Sequence, residues 1–486
     1  MTSRERLVVI GNGMAGARLV EDVLDRGGGE RFAITIFGAE PHGGYNRILL
    51  PGVLAGSEDR REIFLNPVRW YEDNGVALHA GVQVVDVDRR ARTVIAADGA
   101  KHAYDKLVIA TGSRPSFPPV EGLHLDDGAL KPGVFGFRTI ADCDAMLACA
   151  REARSVAVVG GGLLGLEAGR ALLERGLEVD VVHRPPRLMN QQLDEEAAAI
   201  LRKSVERLGM RVHLDTATTR LIGKARAEGL AFADGTWISC DMVVFATGIR
   251  PNTELAACAG FAVERGIVVD DTLRVRDCDD VYAVGECAQH RGAVYGLAAP
   301  VWEQTAVLAD RLTGADPTAQ YRGSKLVTRL KVSGVELATI GIPEPEHEDD
   351  EVVRFSEPRR GVYKTAIVRD GKLVGAILLG DVAKAAFLTQ AFDQGTALPK
   401  ERAALLFDLG GTLTELGATG QPDDAEICRC NGVSKAEICA SVLAGKRSLH
   451  EVAATTRAGT GCGSCRAQVV QLIESALEPD AGRSAA

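Results

Sequence analysis

Through about residue 320 the chain alternates short apolar runs with longer stretches of helical spacing, the pattern of parallel strands covered by helices. Leu7–Ile10, Ile34–Phe37 and Leu107–Ala110 read as buried strands, and Ser155–Val159, Glu178–Val182 and Val243–Ala246 repeat the design. Leu166–Arg175 reads as a helix, and Val281–Val284 adds a further strand. Two of the strands run into matching segments, Thr111-Gly112-Ser113-Arg114-Pro115 and Thr247-Gly248-Ile249-Arg250-Pro251-Asn252. The echo predicts two related α/β domains, one inserted in the other. Past residue 320 the spacing shortens to hairpins: Val362–Arg369, the turn Asp370-Gly371 and Lys372–Leu379 predict an antiparallel pair, followed by a helix over Lys384–Phe392. This predicts a smaller α+β domain at 321–400. Residues 401–424, with Gly410-Gly411, Gly417, Gly420 and Pro422, read as a linker to a last domain at 425–477. Glu344–Glu351 holds six acids in eight residues and reads as a solvated loop, with an acidic docking edge as the alternative.

Bulk properties narrow the class. A chain of 486 residues with 46% hydrophobic and 25% charged residues has room for several cored domains. A formal net charge of -10 argues against a nucleic-acid surface. No apolar run reaches the length of a membrane span, and Met1–Arg6 leads straight into a strand without a signal-peptide pattern, so a cytoplasmic location without membrane attachment is expected. Eleven cysteines in a reducing compartment point to metal or redox use rather than disulfides. Seven of them stand alone and read as small buried apolar residues.

Two glycine fingerprints carry chemistry. Gly11-Asn12-Gly13-Met14-Ala15-Gly16 follows a strand and opens a helix, as does Gly160-Gly161-Gly162-Leu163-Leu164-Gly165. Such loops let a pyrophosphate approach the N-terminus of a helix, and each implies a Rossmann-like dinucleotide-binding domain. The first domain spans 1–115 and 245–320; the second, 116–244, is inserted in it. The ribose-binding acid expected after the strand Ile34–Phe37 is replaced by Gly38, with Glu40 the nearest acid; Glu40 either touches the ribose or is a loop acid. The strand Glu178–Val182 ends in His183-Arg184-Pro185-Pro186-Arg187, where an arginine can accommodate a 2′-phosphate. Local chemistry therefore tilts towards NADPH, with solvent-facing arginines as the alternative. Gly285-Glu286 closes a third strand, where an acid can accept hydrogen bonds from a ribityl hydroxyl. Fingerprint, second fingerprint and strand-Gly-acid, in that order, indicate an FAD enzyme with an inserted nicotinamide domain.

What is missing directs attention to the C-terminus. The first cysteine is Cys143, so no dithiol lies in the helix after the first fingerprint and no single thiol near residue 45. Electrons leaving a flavin need another exit. Cys428-Arg429-Cys430-Asn431-Gly432 and Gly461-Cys462-Gly463-Ser464-Cys465 can bring four thiolates together to bind zinc or an iron–sulfur cluster. Zinc pairs are mostly spaced C-x2-4-C, which fits Cys462/Cys465 but not Cys428/Cys430, and this favours a cluster. Ser434-Lys435-Ala436-Glu437 is a capping box that starts a helix after the first pair. Cys439, inside that helix, is not expected as a ligand.

Taken together, Gly11–Gly16, Tyr45-Asn46-Arg47-Ile48-Leu49-Leu50, Gly160–Glu167 and His183 followed by Leu188–Asp194 resemble the flavoprotein half of bacterial assimilatory nitrite reductase large subunits. The hairpin domain fits too, and the cysteine segment resembles the [2Fe–2S] domain of bacterioferritin-associated ferredoxin. The resemblance implies FAD contacts for Arg47, Arg138, Thr111 and Gly112, and a place near the nicotinamide for Glu167; Gly248, in the matching segment, falls to the nicotinamide side. It implies a [2Fe–2S] cluster on Cys428, Cys430, Cys462 and Cys465. The family commonly uses NADH and carries histidine where an acid is expected, so NADH and NADPH stay open.

The sequence ends after the cysteine module, without a sirohaem domain or a second cysteine set. The expectation is an electron-transfer subunit that oxidises NAD(P)H and feeds a separate assimilatory nitrate reductase catalytic subunit, a molybdenum enzyme. The alternatives are a sirohaem nitrite reductase, a ferredoxin or a rubredoxin as acceptor. A different class of reading makes the terminal module a redox sensor or a dock for an iron-storage protein.

Overall fold

The structure, a computed structural model, describes residues 4–332, 334–407, 418–428, 431–460 and 465–477. Its first sheet is parallel, with spatial order Val281–Ala283, Lys106–Ile109, Glu5–Ile10, Phe32–Gly38, Ala77–Ala80. The second is also parallel: Met210–His213, Glu178–Val182, Ser155–Val159, Met242–Phe245, Val134–Gly136. The central strands are apolar almost throughout because both faces of each sheet are covered: in the second, helices pack on one face, and the antiparallel strands Thr218–Ile222 and Gly229–Phe232 cover the other; Leu7, Val9, Leu107, Val156 and Val158 are fully buried. The strand Val281–Ala283 returns to the first sheet after the whole second sheet has been built, so one α/β unit is inserted in the other.

The two echoing segments meet. Ser113–Pro115 and Ile249–Pro251 pair antiparallel, placing the chain's exit from the first unit beside its return. Asn252 fastens the pair: its N–H donates to the Gly112 carbonyl at 2.9 Å, its Nδ2 to the Thr111 carbonyl at 2.9 Å, and its own carbonyl accepts from Thr111 Oγ1 at 2.8 Å.

The small α+β unit is an antiparallel sheet in the order Val327–Val332, Val335–Gly341, Lys372–Leu379, Val362–Arg369, Glu351–Glu357, backed by the helix Ala385–Gln394. The segment expected as linker is packed at both ends. Arg402–Leu405 forms a 3-10 turn whose Leu405, with Leu406, is buried in this unit's core, and Ala418 is buried against the terminal module. The apolar run Ala403–Phe407 holds the first turn down, a signal that the glycines further along had masked. The acidic run is exposed apart from Asp350, as expected of a solvated loop, but several of its carboxylates are paired: Asp350 takes a bidentate pair from Arg369 at 2.7 and 2.8 Å, Glu351 pairs with Arg402, and Glu344 with Arg187.

The terminal module packs three helices, Lys435–Leu443, Leu449–Thr456 and Arg466–Leu477, around Ile438, Val452, Val469, Cys428 and Cys465. Capping boxes at Ser434/Glu437 and Ser448/Glu451 start the first two. Among the described residues no helix is long and apolar enough to cross a membrane.

Candidate functional site

The two fingerprints fold into cradles whose first and last glycines make matching contacts. Gly11 and Gly160 sit at φ +114° and +127°, and a Cβ on either would overlap a carbonyl oxygen, that of Ala110 or Ala246. A Cβ on Gly16 or Gly165 would overlap the carbonyl of Gly11 or Gly160, so these last glycines let helix and loop touch. The middle glycines differ: Gly162 faces open space and Gly13 meets only Arg47 Nη2 at 3.8 Å. Both helices, Met14–Asp25 and Leu163–Glu174, start on these middle glycines without a side-chain cap. Met14, Ala15, Leu163 and Leu164 therefore offer the first turn's backbone N–H groups to an anion. The second helix begins at Leu163 rather than Leu166, because the last fingerprint glycine already belongs to its first turn.

Around the first cradle the predicted residues converge. Glu40 accepts from Tyr45 Oη at 2.9 Å and Arg47 Nη2 at 2.5 Å, while Arg47 Nη1 donates to the Arg138 carbonyl at 2.9 Å. The Arg47 guanidinium lies 4.9 Å from the centre of the Tyr45 ring. Arg138 in turn pairs with Glu286, which also accepts from Ser113 Oγ at 2.6 Å. Gly112, at φ +64°, would direct a Cβ to 4.0 Å from Arg138 Nη2. Gly285, at φ +81°, presses on the first helix, where a Cβ would lie 2.8 Å from Ala15 Cβ, and its N–H donates to Gln304 Oε1 at 2.7 Å. Thr111, Gly112, Gly285 and Glu286 thus border one groove with Arg47 and Arg138. The groove fits a dinucleotide: its glycines leave the floor clear of side chains, and Asn12 Nδ2 and Arg138 Nε are buried donors without a partner among the described residues. Ser113, Asn252 and Gln304 are contributors that sequence reasoning did not assign. The first two lay inside the quoted segments; Gln304, in mid-helix, gave no signal.

The second cradle is closed by His183. Its Nδ1 accepts the Gly161 N–H at 2.9 Å, which places the proton of the neutral ring on Nε2. Burial holds its pKa below the ordinary imidazole value. Gly161 can be nothing larger, since a Cβ would lie 2.8 Å from His183 Cγ and 2.6 Å from Leu188 Cδ2. The two arginines part company. Arg187 turns to Glu344 at 3.0 Å, whereas Arg184 is exposed and makes no ion pair among the described residues. Glu167 is buried on the helix, and Gly248, at φ +105°, faces open space and accepts from the Ser116 N–H at 2.9 Å.

Of the four predicted cluster ligands, Cys428 and Cys465 are buried in the terminal core; Cys430 and Cys462 lie outside the described residues. The two cysteine segments are nonetheless tied: Asn431 Nδ2 donates to the Arg457 carbonyl at 2.6 Å and to Thr460 Oγ1 at 3.0 Å. Two buried thiols at either end of one tied loop pair suit a thiolate-ligated group. The seven lone cysteines are mixed rather than uniformly buried. Burial pushes Cys143 up to about 11 and Cys240 up to about 12, while Cys258 is exposed at the end of a short helix. Cys287, beside Glu286, is fully buried with its pKa raised by desolvation and its Sγ 3.3 Å from the Val284 carbonyl, so it is no reactive thiol.

Residues 5–306 match the pyridine nucleotide-disulphide oxidoreductase family. The chain belongs to that family. Residues 327–396 match the rubredoxin NAD+ reductase C-terminal domain and 426–475 the BFD-like [2Fe-2S] binding domain. The chain is 42% identical over 484 residues to the nitrite reductase [NAD(P)H] of Bacillus subtilis, covering 99% of this chain and 59% of that protein. It is 38% identical over 472 residues to the assimilatory nitrate reductase electron transfer subunit of the same organism, covering 97% of this chain and 59% of that one. Among solved structures, the ferredoxin reductase for the CYP199A2 system from Rhodopseudomonas palustris is similar with a TM-score of 0.74 and 25% identity, over 85% of this chain and 99% of that chain. This member of the pyridine nucleotide-disulphide oxidoreductases is thus an NAD(P)H-dependent flavoprotein oxidoreductase whose cofactors are FAD, NAD(P)H and a [2Fe–2S] cluster.

Proposed function

We propose that the chain oxidises NAD(P)H and passes the electrons singly, through its terminal module, to a separate assimilatory nitrate reductase catalytic subunit that uses molybdenum. One observation carries the reading: among the described residues no reactive thiol borders the first cradle, while buried thiols lie in a module tied to it. Bound FAD would supply the conversion of hydride into single electrons, and the cluster their onward carriage.

The chain's own residues bind and orient. Gly11, Gly13, Met14, Ala15 and Gly16 seat the FAD pyrophosphate on a helix N-terminus. Glu40, Arg47, Thr111, Gly112, Arg138, Gly285 and Glu286 line the rest of the groove, with Arg138 and Arg47 able to exchange their carboxylate partners for the cofactor. Gly160, Gly162, Leu163, Leu164 and Gly165 seat NAD(P)H, with Glu167, His183, Arg184 and Gly248 around it. No side-chain acid or base is assigned to hydride transfer. Cys428, Cys430, Cys462 and Cys465 hold the cluster. The domain division at 1–115 with 245–320, 116–244, 321–400 and 425–477, and a cytoplasmic location where NAD(P)H is at hand, belong to the same reading. A nitrite-reducing acceptor is the second reading, favoured by the 42% identity to a nitrite reductase.

Anaerobic titration of the holoprotein with NADH and NADPH, followed by each candidate acceptor enzyme, tests the reading. Rapid cluster reduction and nitrate-dependent NAD(P)H oxidation are expected with the nitrate reductase subunit. Cluster reduction far slower than turnover would instead favour the sensor.

A further inference from the structure

The terminal module is seated on the flavin-binding unit by a specific polar contact. Arg457 ends the helix Leu449–Thr456 at φ +63°, a left-handed conformation that sends the chain towards the second cysteine segment. Its guanidinium leaves the module. Nη1 lies 2.9 and 3.1 Å from the two carboxylate oxygens of Glu21, and Nη2 donates to the Leu65 carbonyl and to Asn66 Oδ1, both at 2.8 Å. Asn66 Nδ2 donates in turn to Glu21, whose side chain keeps only 12% of its exposure. One guanidinium therefore fills a receptor built from a carboxylate, an amide and a main-chain carbonyl, a match of shape and charge beyond an ordinary surface ion pair.

A second contact sits one turn away. Arg18, on the same helix as Glu21, donates from Nη1 to the Asn431 carbonyl at 3.1 Å while its Nε holds Asp22 at 2.9 Å. Its guanidinium lies 5.6 Å from the centre of the Trp302 ring. Gly432, at φ +61°, is pressed between them: a Cβ there would lie 3.4 Å from Arg18 Nη2 and 3.6 Å from Trp302 Cδ1. Ile48, next to Arg47, packs on the module's core. The seam is thus formed by the helix that the first fingerprint opens and by the loop that carries Arg47.

Both contacts strike the module at its cysteine segments. Asn431 directly follows Cys430, and Arg457 stands five residues before Cys462. Asn431 joins them through its bond to the Arg457 carbonyl. We propose that Arg457 is a latch, received by Glu21, Leu65 and Asn66, that holds the terminal module in the arrangement in which it is charged with electrons. This rests on the electron order proposed above. NAD(P)H gives up a hydride, two electrons and a proton; the electrons cross the seam one at a time, two crossings per NAD(P)H, and the proton is released to water. Because the seam is largely polar, water replaces its bonds when it opens, and the module can separate to meet an outside acceptor. Arg457, Glu21, Asn66 and Arg18 are positioning residues.

The test uses holoprotein carrying Glu21→Arg, Arg457→Glu, or both, with stopped-flow absorbance under anaerobic NADH and amide hydrogen exchange of the peptides around 65–66 and 457–460. Iron content identifies any variant whose module has failed to fold, and Glu21→Gln, outside the module, supplies an independent weakening. Each single charge reversal is expected to slow cluster reduction by about tenfold or more, to leave flavin bleaching by NADH unchanged, and to raise exchange in both peptides; the double variant, with the pair restored in reverse, recovers rate and protection. Parental cluster reduction in an iron-replete single variant with raised exchange would show that the seated arrangement is not the charging one. Unchanged exchange would show that Arg457 is no latch. If the parent protein itself bleaches its flavin without reducing its cluster, the proposed electron order fails, and the exchange measurement still decides whether Arg457 seats the module.

Discussion

The two glycine cradles share a backbone and differ in what stands beside it. In both, the first glycine takes a left-handed φ and the last lies against its carbonyl. They part at the end of the next strand. The first cradle has Gly38 there, where a Cβ would lie 3.0 Å from Asn12 Cβ, and its carboxylate is displaced to Glu40, clasped by Tyr45 and Arg47. The second has His183, which reaches back to the cradle's own Gly161 N–H. The first and last glycines are dictated by main-chain overlap and would be the same for any dinucleotide. The strand-end residue differs between the two, and under the proposed function it is where two copies of one design would acquire different cofactors.

Breaking one cradle at a time should give the largest separation. Gly160→Ala places a Cβ on the Ala246 carbonyl at φ +127°. The strain, about 3 kcal/mol, should lower kcat/KM for NAD(P)H on the order of a hundredfold while FAD stays bound. Gly11→Ala should instead yield protein short of FAD. Flavin content and steady-state kinetics on both variants check this, and FAD loss from Gly160→Ala would show that the cradles are not independent.

His183→Ala should be milder. It leaves the Gly161 N–H without its acceptor, an effect of about 1–3 kcal/mol on nucleotide affinity and on the stability of the inserted unit. The same bond has a pH signature. Burial lowers the folded-state pKa of His183 below its unfolded value, so its contribution is complete above about pH 6.5 and is lost as pH falls below that towards the folded pKa. The stability of the inserted unit, measured by denaturant unfolding, should fall in that window, and His183→Gln should flatten the dependence. Gly38 has nothing to titrate at the matching place.

The arginines should give the smallest and most selective effect. Arg184→Ala should weaken NADPH by about 1–3 kcal/mol and NADH little, if Arg184 meets the 2′-phosphate. Arg187→Ala should do less, because Arg187 is occupied by Glu344. Dissociation constants for both nucleotides decide: equal losses would place Arg184 on the shared pyrophosphate, and no loss would leave it facing solvent.

The contrast between local and distant determinants also explains what the sequence disclosed. Ser155–Val159, Glu178–Val182, Val362–Arg369 and Lys372–Leu379 match their expected bounds, because apolar, β-branched-rich runs are bounded by glycine, a tight turn or, after Val182, a polar proline-containing segment. The cradles were legible because a fixed glycine spacing follows a strand and opens a helix, although the carbonyls that require Gly11 and Gly160, those of Ala110 and Ala246, lie far along the chain. Pairings between distant segments were not. Asn252 with Thr111, Arg187 with Glu344, Arg369 with Asp350 and Arg457 with Glu21 each join residues whose proximity only the fold creates. The turn at Arg402–Leu405 was obscured by neighbouring glycines, and Cys258 sits exposed where composition alone favoured burial.

Under the proposed function, electrons enter at the paired cradles and leave through the cysteine module. Cys465→Ser tests it most directly, by anaerobic stopped-flow reduction with NAD(P)H and then by nitrate-dependent turnover with the nitrate reductase subunit. Flavin bleaching at the parental rate and no coupled turnover are expected. A variant that keeps its FAD but no longer bleaches with NAD(P)H, or one that still drives the acceptor at the parental rate, would contradict it.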